Sequence, residues 1–355
     1  MTQENTFLER AGAWLLHSGI QEPGGGVARY YLSDVRRNAP VSTEITGYAA
    51  SALTYLHSIT GDSAYLKGGV RAARFLMREA RDGESALAPF ELSANGEPRL
   101  AYFFDCGIIA RGLFAVARST RDAEIYRAAR AGCLSMADAF FSGGGPIPPV
   151  LRLPSQEPLP FEPRWSRSPG CYQLKSAMAW CAVDGLEELY DCAVEDALSS
   201  HADFLPGDSN REKVMDRLHA YLYFLEGLLP AAGRPECTRA LADGIARVSG
   251  LLRDIAPAFA RSDVYAQLLR VRLYADALGA APLDGALAAE EAEEAAGFQA
   301  ADEDPRIDGG FYFGRKGGAW LPFVNPVSTV FCMQALAMWR QYEAGHLRAP
   351  IEALI

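Results

Sequence analysis

The sequence predicts an all-α fold, an (α/α)6 toroid of six helical hairpins with long loops on one face, carried by a single domain over residues 1–355. Three observations predict it. Pairs of helical runs recur along the chain, two unpaired runs remain at its ends to complete a sixth pair, and apolar runs alternate with charged ones.

The recurrence is clearest in "TGYAASALTYLHSITGDSAYLKGGVRAARFLMREA", where apolar residues at helical spacing lead through a Thr-Gly-Asp turn into a second amphipathic run. The segment "CGIIARGLFAVARSTRDAEIYRAARAGCLSMADAF" repeats the pattern, with Asp122 sixty residues after Asp62. Less regular units follow in "YQLKSAMAWCAVDGLEELYDCAVEDALSSHADFL", "MDRLHAYLYFLEGLLPAAGRPECTRALADGIARVSGLL" and "SDVYAQLLRVRLYADALGAAPLDGALAAEEAEEAAGF". "FLERAGAWLLHSG" at one end and "NPVSTVFCMQALAMWRQYEAG" at the other are the unpaired runs. Joining them closes a ring. An echo supports the closure, because Pro40-Val41-Ser42-Thr43 recurs as Pro326-Val327-Ser328-Thr329, each after a glycine-aromatic segment. The first run of each pair is rich in Ala, Gly, Leu and aromatics, as an inner ring requires. The second carries more Arg, Lys, Asp and Glu, as a solvated outer ring requires. No βα alternation is present, which argues against a Rossmann or TIM design.

Composition narrows the function. With 49% hydrophobic and 22% charged residues the chain can bury a large core. A net charge of −10 and a pI near 5.1 oppose nucleic-acid binding. The first twenty residues lack a basic and then apolar leader, and no window reaches the roughly 18 apolar residues of a membrane span. A cytoplasmic protein is expected. The seven cysteines are odd in number and lack C-x-x-C spacing, and no H-x-x-x-H pair or acidic cluster suggests a metal. Neither a cofactor nor a metal is expected. Two connections, residues 142–170 and 301–325, exceed ordinary helix links and are read equally as functional rims or as covers for apolar helix ends.

In such a toroid the starts of the inner helices converge. Read there, the chain offers Glu44, Asp105, Tyr172, Lys175, Asp216, Arg217, His219, Asp263 and Asn325. Asp105, Asp216 and Asp263 are each explained by helix capping, and each is equally available to a cavity. Glu44 is different, since glutamate is a poor cap and the echo places Val330 at its position. Aligning Gly47 with Gly107 brings Glu44 and Asp105 to nearly the same level, sixty-one residues apart. A pair of carboxyls is what glycosidic hydrolysis uses, one protonated and one ionised. Trp320 and other aromatics could stack on sugar rings, though a core role suits most of them. Loop cations, including Arg29, Arg164, Arg167 and Arg315, suggest an anionic group such as a uronate. His219 beside Asp216 and Arg217 could instead serve as a base.

The phrases "STEITGYAASALTYLHSITGD", "FFDCGIIARGLFAVARSTRD", "CYQLKSAMAW" and "FVNPVSTVFCMQAL" resemble the six-hairpin glycosidase-like superfamily, and within it a bacterial branch that accompanies surface-polysaccharide genes. That resemblance implies a carbohydrate substrate and, as partners, proteins of polysaccharide biosynthesis. Unsaturated glucuronyl hydrolases share the architecture and use acids at neighbouring inner-helix starts, which implies Glu44 and Asp105 as the catalytic pair. Tyr172, Lys175, Asp216, Arg217, His219, Arg315, Trp320 and Asn325 would then bind substrate. This chain departs from them in having glutamate first and Cys106 beside the second acid. Resemblance to sugar epimerases or to toroidal polysaccharide lyases implies His219 or a tyrosine as the base instead. A saccharide-binding protein without turnover is the third expectation.

Overall fold

The computed structural model describes residues 6–78, 85–91, 99–141, 145–205 and 210–355. Among them, α-helices follow in chain order: α1 Thr6–His17, α2 Thr43–Thr60, α3 Ser63–Arg78, α4 Phe103–Thr120, α5 Ala123–Phe140 and α6 Leu174–Ala177. These are followed by α7 Glu187–Phe204, α8 Arg211–Leu228, α9 Pro235–Ile255, α10 Ser262–Ala277, α11 Gly285–Ala296 and α12 Pro326–Glu343. None of the described helices is long and apolar enough to cross a membrane. The chain divides into two compact units, one formed by Gln21–Arg29 and Ala39–Ser200, the other by Met1–Ile20, Tyr30–Asn38 and His201–Ile355.

In the 39–200 unit, α2 begins where the Ser42 hydroxyl accepts from the Ile45 N–H, and it ends at Gly61 with φ 75°. Asp122 caps α5 through the N–H groups of Glu124 and Ile125. Helices α2 and α4 are buried on most sides, while α3 and α5 bury one stripe, as the predicted inner and outer roles require. Glycines let the inner helices touch. A Cβ on Gly112 of α4 would overlap the Gly47 carbonyl of α2, and one on Gly107 would stand 2.6 Å from Ser176 Cβ of α6. Gly47 thus packs against Ile109 and Gly112.

The third pair differs from expectation. Its first member is only the four-residue α6, flanked by 3-10 turns at Cys171–Gln173 and Met178–Ala182. Side-chain anchors take over where helix hydrogen bonds stop: Trp180 Nε1 donates to the Cys133 carbonyl, Ser176 Oγ donates to the Phe104 carbonyl, and Gln173 Nε2 donates to the Ile147 carbonyl.

In the 201–355 unit, α8 and α9, then α10 and α11, form hairpins. The leftover α1 and α12 pack together as predicted, with the Arg340 guanidinium 4.0 Å over the Phe7 ring. The two long connections become small sheets. Residues 142–144 lie outside the described residues, but Val150–Leu153 pairs antiparallel with Arg99–Tyr102, the strand that enters α4. Gly314–Lys316 pairs in the same sense with Phe259–Arg261, the strand that enters α10.

Candidate functional site

Glu44 and Asp105 both stand in first turns, at the second residue of α2 and the third of α4. Asp105 does not cap its helix. Tyr102 holds the cap position and α4 receives no side-chain cap, so the capping reading is corrected. The strand leading into α4 ends at Tyr102, which leaves the acid three residues beyond the cap position and within the first turn. Asp105 is 4% exposed, and its Oδ2 meets no hydrogen-bond partner among the described residues. Burial raises its carboxyl well above the ordinary range, and the nearby Glu44 raises it further. Glu44 keeps some exposure. Burial also lifts its carboxyl, to about 7, against the opposing pull of Lys175 and then Arg29.

The cations come from either side. Lys175 on α6 is fully buried, its Nζ 5.6 Å from the centre of the Tyr48 ring on α2. Arg29 is bound to Glu91 at 2.9 Å and stands beside the Phe90 ring. Cys106 stays a thiol, burial pushing it up to about 12. An aromatic wall adjoins Asp105. Tyr172 lies 6.0 Å from Phe104 and 5.0 Å from Trp165 between ring centres, and its hydroxyl donates to the Ser168 carbonyl. Burial and then Asp105 raise the Tyr172 phenol, which works against its use as a base. Arg167 stands 5.9 Å from the Tyr102 ring and is paired with Glu162, while Arg164 is exposed nearby.

The echo that singled out Glu44 holds in a different register. Ser42 caps α2 and Asn325 caps α12, accepting from the Val327 and Ser328 N–H groups. Thr46 and Thr329 then play one role, each bonding back to the cap carbonyl and accepting a loop N–H, from Val27 and Phe311. Val327, rather than Val330, is therefore the counterpart of Glu44. The repeat still requires no acid there, and Asn325 has a complete capping role.

A second polar cluster belongs to the 201–355 unit. Asp263, 2% exposed, accepts two bonds from Arg261, from Nε at 2.9 Å and from Nη2 at 2.6 Å. Arg261 Nη1 reaches Asp216 at 2.6 Å. Although burial opposes the charge on Asp263, Arg261 and then His219 hold the carboxyl below its usual range. His219 Nδ1 lies 2.7 Å from Gln267 Oε1 and 3.4 Å from Asp263 Oδ2. Burial lowers this imidazole to about 4 despite Asp263, so it is neutral at pH 7. Donation from Nδ1–H to Gln267 fixes the tautomer and leaves Nε2 as the basic nitrogen.

Asp216 is not at a helix start. Asn210 caps α8, and Asp216 lies on its second turn with a half-exposed side chain, so its capping reading is also corrected. Arg217 donates to the Phe204 carbonyl and lies over the Phe204 ring, Arg315 pairs with Glu294, and Trp320 is 45% exposed and stacked on Tyr312. The structure thus brings Glu44, Asp105 and Lys175 together, and separately Asp216 and His219. The sequence reading missed Arg261 and Gln267. In "FARSDVY" an Arg at the position before the helix, two residues ahead of a helix-start Asp, was the available signal.

No family model matches the chain, and no curated protein matches it. Solved structures similar to it include a sugar epimerase from a ruminal bacterium, at 12% identity and TM-score 0.70, covering 94% of this chain and 97% of that one. A cellobiose 2-epimerase from Bacillus thermoamylovorans has 10% identity and TM-score 0.69, covering 94% and 99%. An inactive variant of an alpha-1,6-mannanase of Salegentibacter in complex with alpha-1,6-mannotetrose has 11% identity and TM-score 0.63, covering 95% and 100%. At these identities the likeness shows the fold alone, the all-α (α/α)6 toroid.

Proposed function

We propose that the protein is a carbohydrate-active enzyme of the glycoside hydrolase kind, acting on an anionic, uronate-containing oligosaccharide, with Asp105 as general acid and Glu44 as general base or nucleophile. The observation that carries this reading is the pair itself: two carboxyls on neighbouring inner helices, one deeply buried with an unpartnered oxygen, the other beside a buried lysine. Burial keeps Asp105 protonated for donation to a leaving oxygen. The cations keep Glu44 the more readily ionised. Trp165 and Tyr102 supply ring faces near the acid, and Arg164 and Arg167 supply cations for a uronate. That the similar structures include sugar epimerases and an alpha-1,6-mannanase supports a carbohydrate substrate.

The test is reducing-end release from a panel of uronate-containing oligosaccharides by the wild type, Glu44→Gln and Asp105→Asn. Each substitution should lower kcat about 10²–10⁴-fold while KM moves little. Turnover that survives both substitutions sinks the acid-pair mechanism. Saccharide binding without turnover by the wild type would support the binding-only role.

A second reading rests on a separate observation, the neutral His219 whose Nδ1 is held by Gln267 and Asp263. Such an imidazole suits proton abstraction beside a sugar carbonyl, as in epimerisation. Deuterium uptake from heavy water at the carbon next to the carbonyl, lost in His219→Gln, would support it. Retention of uptake in that variant would remove it.

A further inference from the structure

We infer that Lys175 is a positioning residue, fixing the single ionised state of the Glu44–Asp105 pair on Glu44. For its catalytic meaning the inference rests on the acid-pair reading above, but it concerns the charge state of the pair and is tested without turnover.

Lys175 has no exposed surface. Its segment is clamped: the Ser176 hydroxyl donates to the Phe104 carbonyl, and Ser176 packs where Gly107 leaves no room for a side chain. The ammonium is therefore held inside rather than extended to water, and a buried ammonium is costly without a counter-ion. Its Nζ faces the ring of Tyr48 on α2. Glu44 precedes Tyr48 by four residues and so shares that face of the helix.

The segment before α2 brings Arg29, which is matched by Glu91 from residues 85–91. Helix α2 brings Glu44 and Tyr48, and α4 brings Asp105 and Cys106. The strand entering α4 brings Tyr102, and the 3-10 turn before α6 brings Tyr172, both phenols raised by burial. Beside Tyr102 stand Arg167, paired with Glu162, and the exposed Arg164. With the Arg29–Glu91 pair balanced and the thiol and these phenols neutral, Lys175 is the fully buried cation beside the two carboxyls among the described residues. The state without net buried charge has one carboxylate and one carboxylic acid. Glu44 is the carboxylate because the ammonium pulls on it and it is less buried, and Asp105 retains the proton. A lysine that the sequence suggested would touch substrate is thus enclosed by the protein, and it acts on the reaction through Glu44.

The experiment is a carboxyl 13C NMR titration of protein labelled at Glu and Asp side chains, with Glu44→Gln and Asp105→Asn for assignment, in the wild type, Lys175→Met and Lys175→Arg. In the wild type Glu44 should lose its proton first, with a midpoint near 7. Lys175→Met should raise that midpoint by about one pH unit or more, and Lys175→Arg should return most of the change. A Glu44 midpoint that Lys175→Met leaves in place, or Asp105 ionising first in the wild type, overturns the inference. If Lys175→Met does not fold, Glu44→Gln gives the decision. With Glu44 neutral, Asp105 becomes the nearest counter-ion, and its midpoint must fall by more than about one pH unit. An unmoved Asp105 overturns the inference by that route. A shift in the titration without any sugar turnover would sustain the role of Lys175 while removing the hydrolase reading.

Discussion

Asp105 and Asp263 each stand in the first turn of a helix entered from a short antiparallel strand, Arg99–Tyr102 for α4 and Phe259–Arg261 for α10. In each case the long connection that the sequence marked out supplies the neighbouring strand. Burial pushes both carboxyls upward, but only Asp105 stays there. The residue that closes the strand makes the difference. Arg261 closes the second strand and turns its planar fork onto Asp263, whereas Tyr102 closes the first and offers a ring. An acid at a helix start is therefore not a site by itself. The residue at the cap position decides whether that acid is neutralised by a bidentate partner or left able to hold a proton.

The largest effect should come from breaking the Arg261 fork. Arg261→Met leaves Asp263 buried without its two charge-assisted bonds, and loss of one partner of a buried pair costs about 3–5 kcal/mol. Urea denaturation at neutral pH measures the loss. Adding Asp263→Leu should recover most of it, since the uncompensated charge is then gone. A loss below about 1 kcal/mol in Arg261→Met would mean that the fork does not hold Asp263, and the contrast with Asp105 would fail.

Most of the fold was legible because helical period, turn glycines and caps are local signals. The hairpins α2 with α3 and α4 with α5 follow directly from "LHSITGD" and "VARSTRD". The pair formed by α1 and α12 needed only the observation that two runs lacked partners. The shortness of α6 was not legible. It depends on Trp180 and Ser176 reaching carbonyls 47 and 72 residues away, which no local pattern encodes. Of the site, Glu44 was legible as an acid that capping does not explain. The state of Asp105 was not, because it depends on Tyr102 rather than an arginine closing the strand and on burial beside Tyr172. Lys175 was legible as polar text in an apolar run, but its complete burial was not.

A smaller effect, in the pH dependence of stability, sharpens the comparison, because the two regions should pull in opposite directions. Between the ordinary carboxylate range and about 7, the folded protein holds two protons on the Glu44–Asp105 pair that the unfolded chain has released, and above about 7 it still holds the one on Asp105. Stability from this region therefore falls as pH rises through that window. His219 is lowered to about 4, so up to an unfolded value of about 6.5 the unfolded chain holds a proton that the folded protein lacks. Stability from that region rises with pH over nearly the same range. In the wild type the carboxyl pair outweighs the imidazole, two retained protons against one, so stability falls with pH between about 4.5 and 6.5. Thermal melts of Asp105→Asn across about pH 4.5 to 7.5 should show stability gaining with pH relative to the wild type, by on the order of 1–3 kcal/mol at about 1.4 kcal/mol per pH unit. The partial exposure of Glu44 favours the lower end of that range. His219→Gln should show the opposite relative trend, of similar size. If the two difference curves run parallel, either the pair does not share a retained proton or His219 is charged in the fold, and the carboxyl titration of Glu44 tells which.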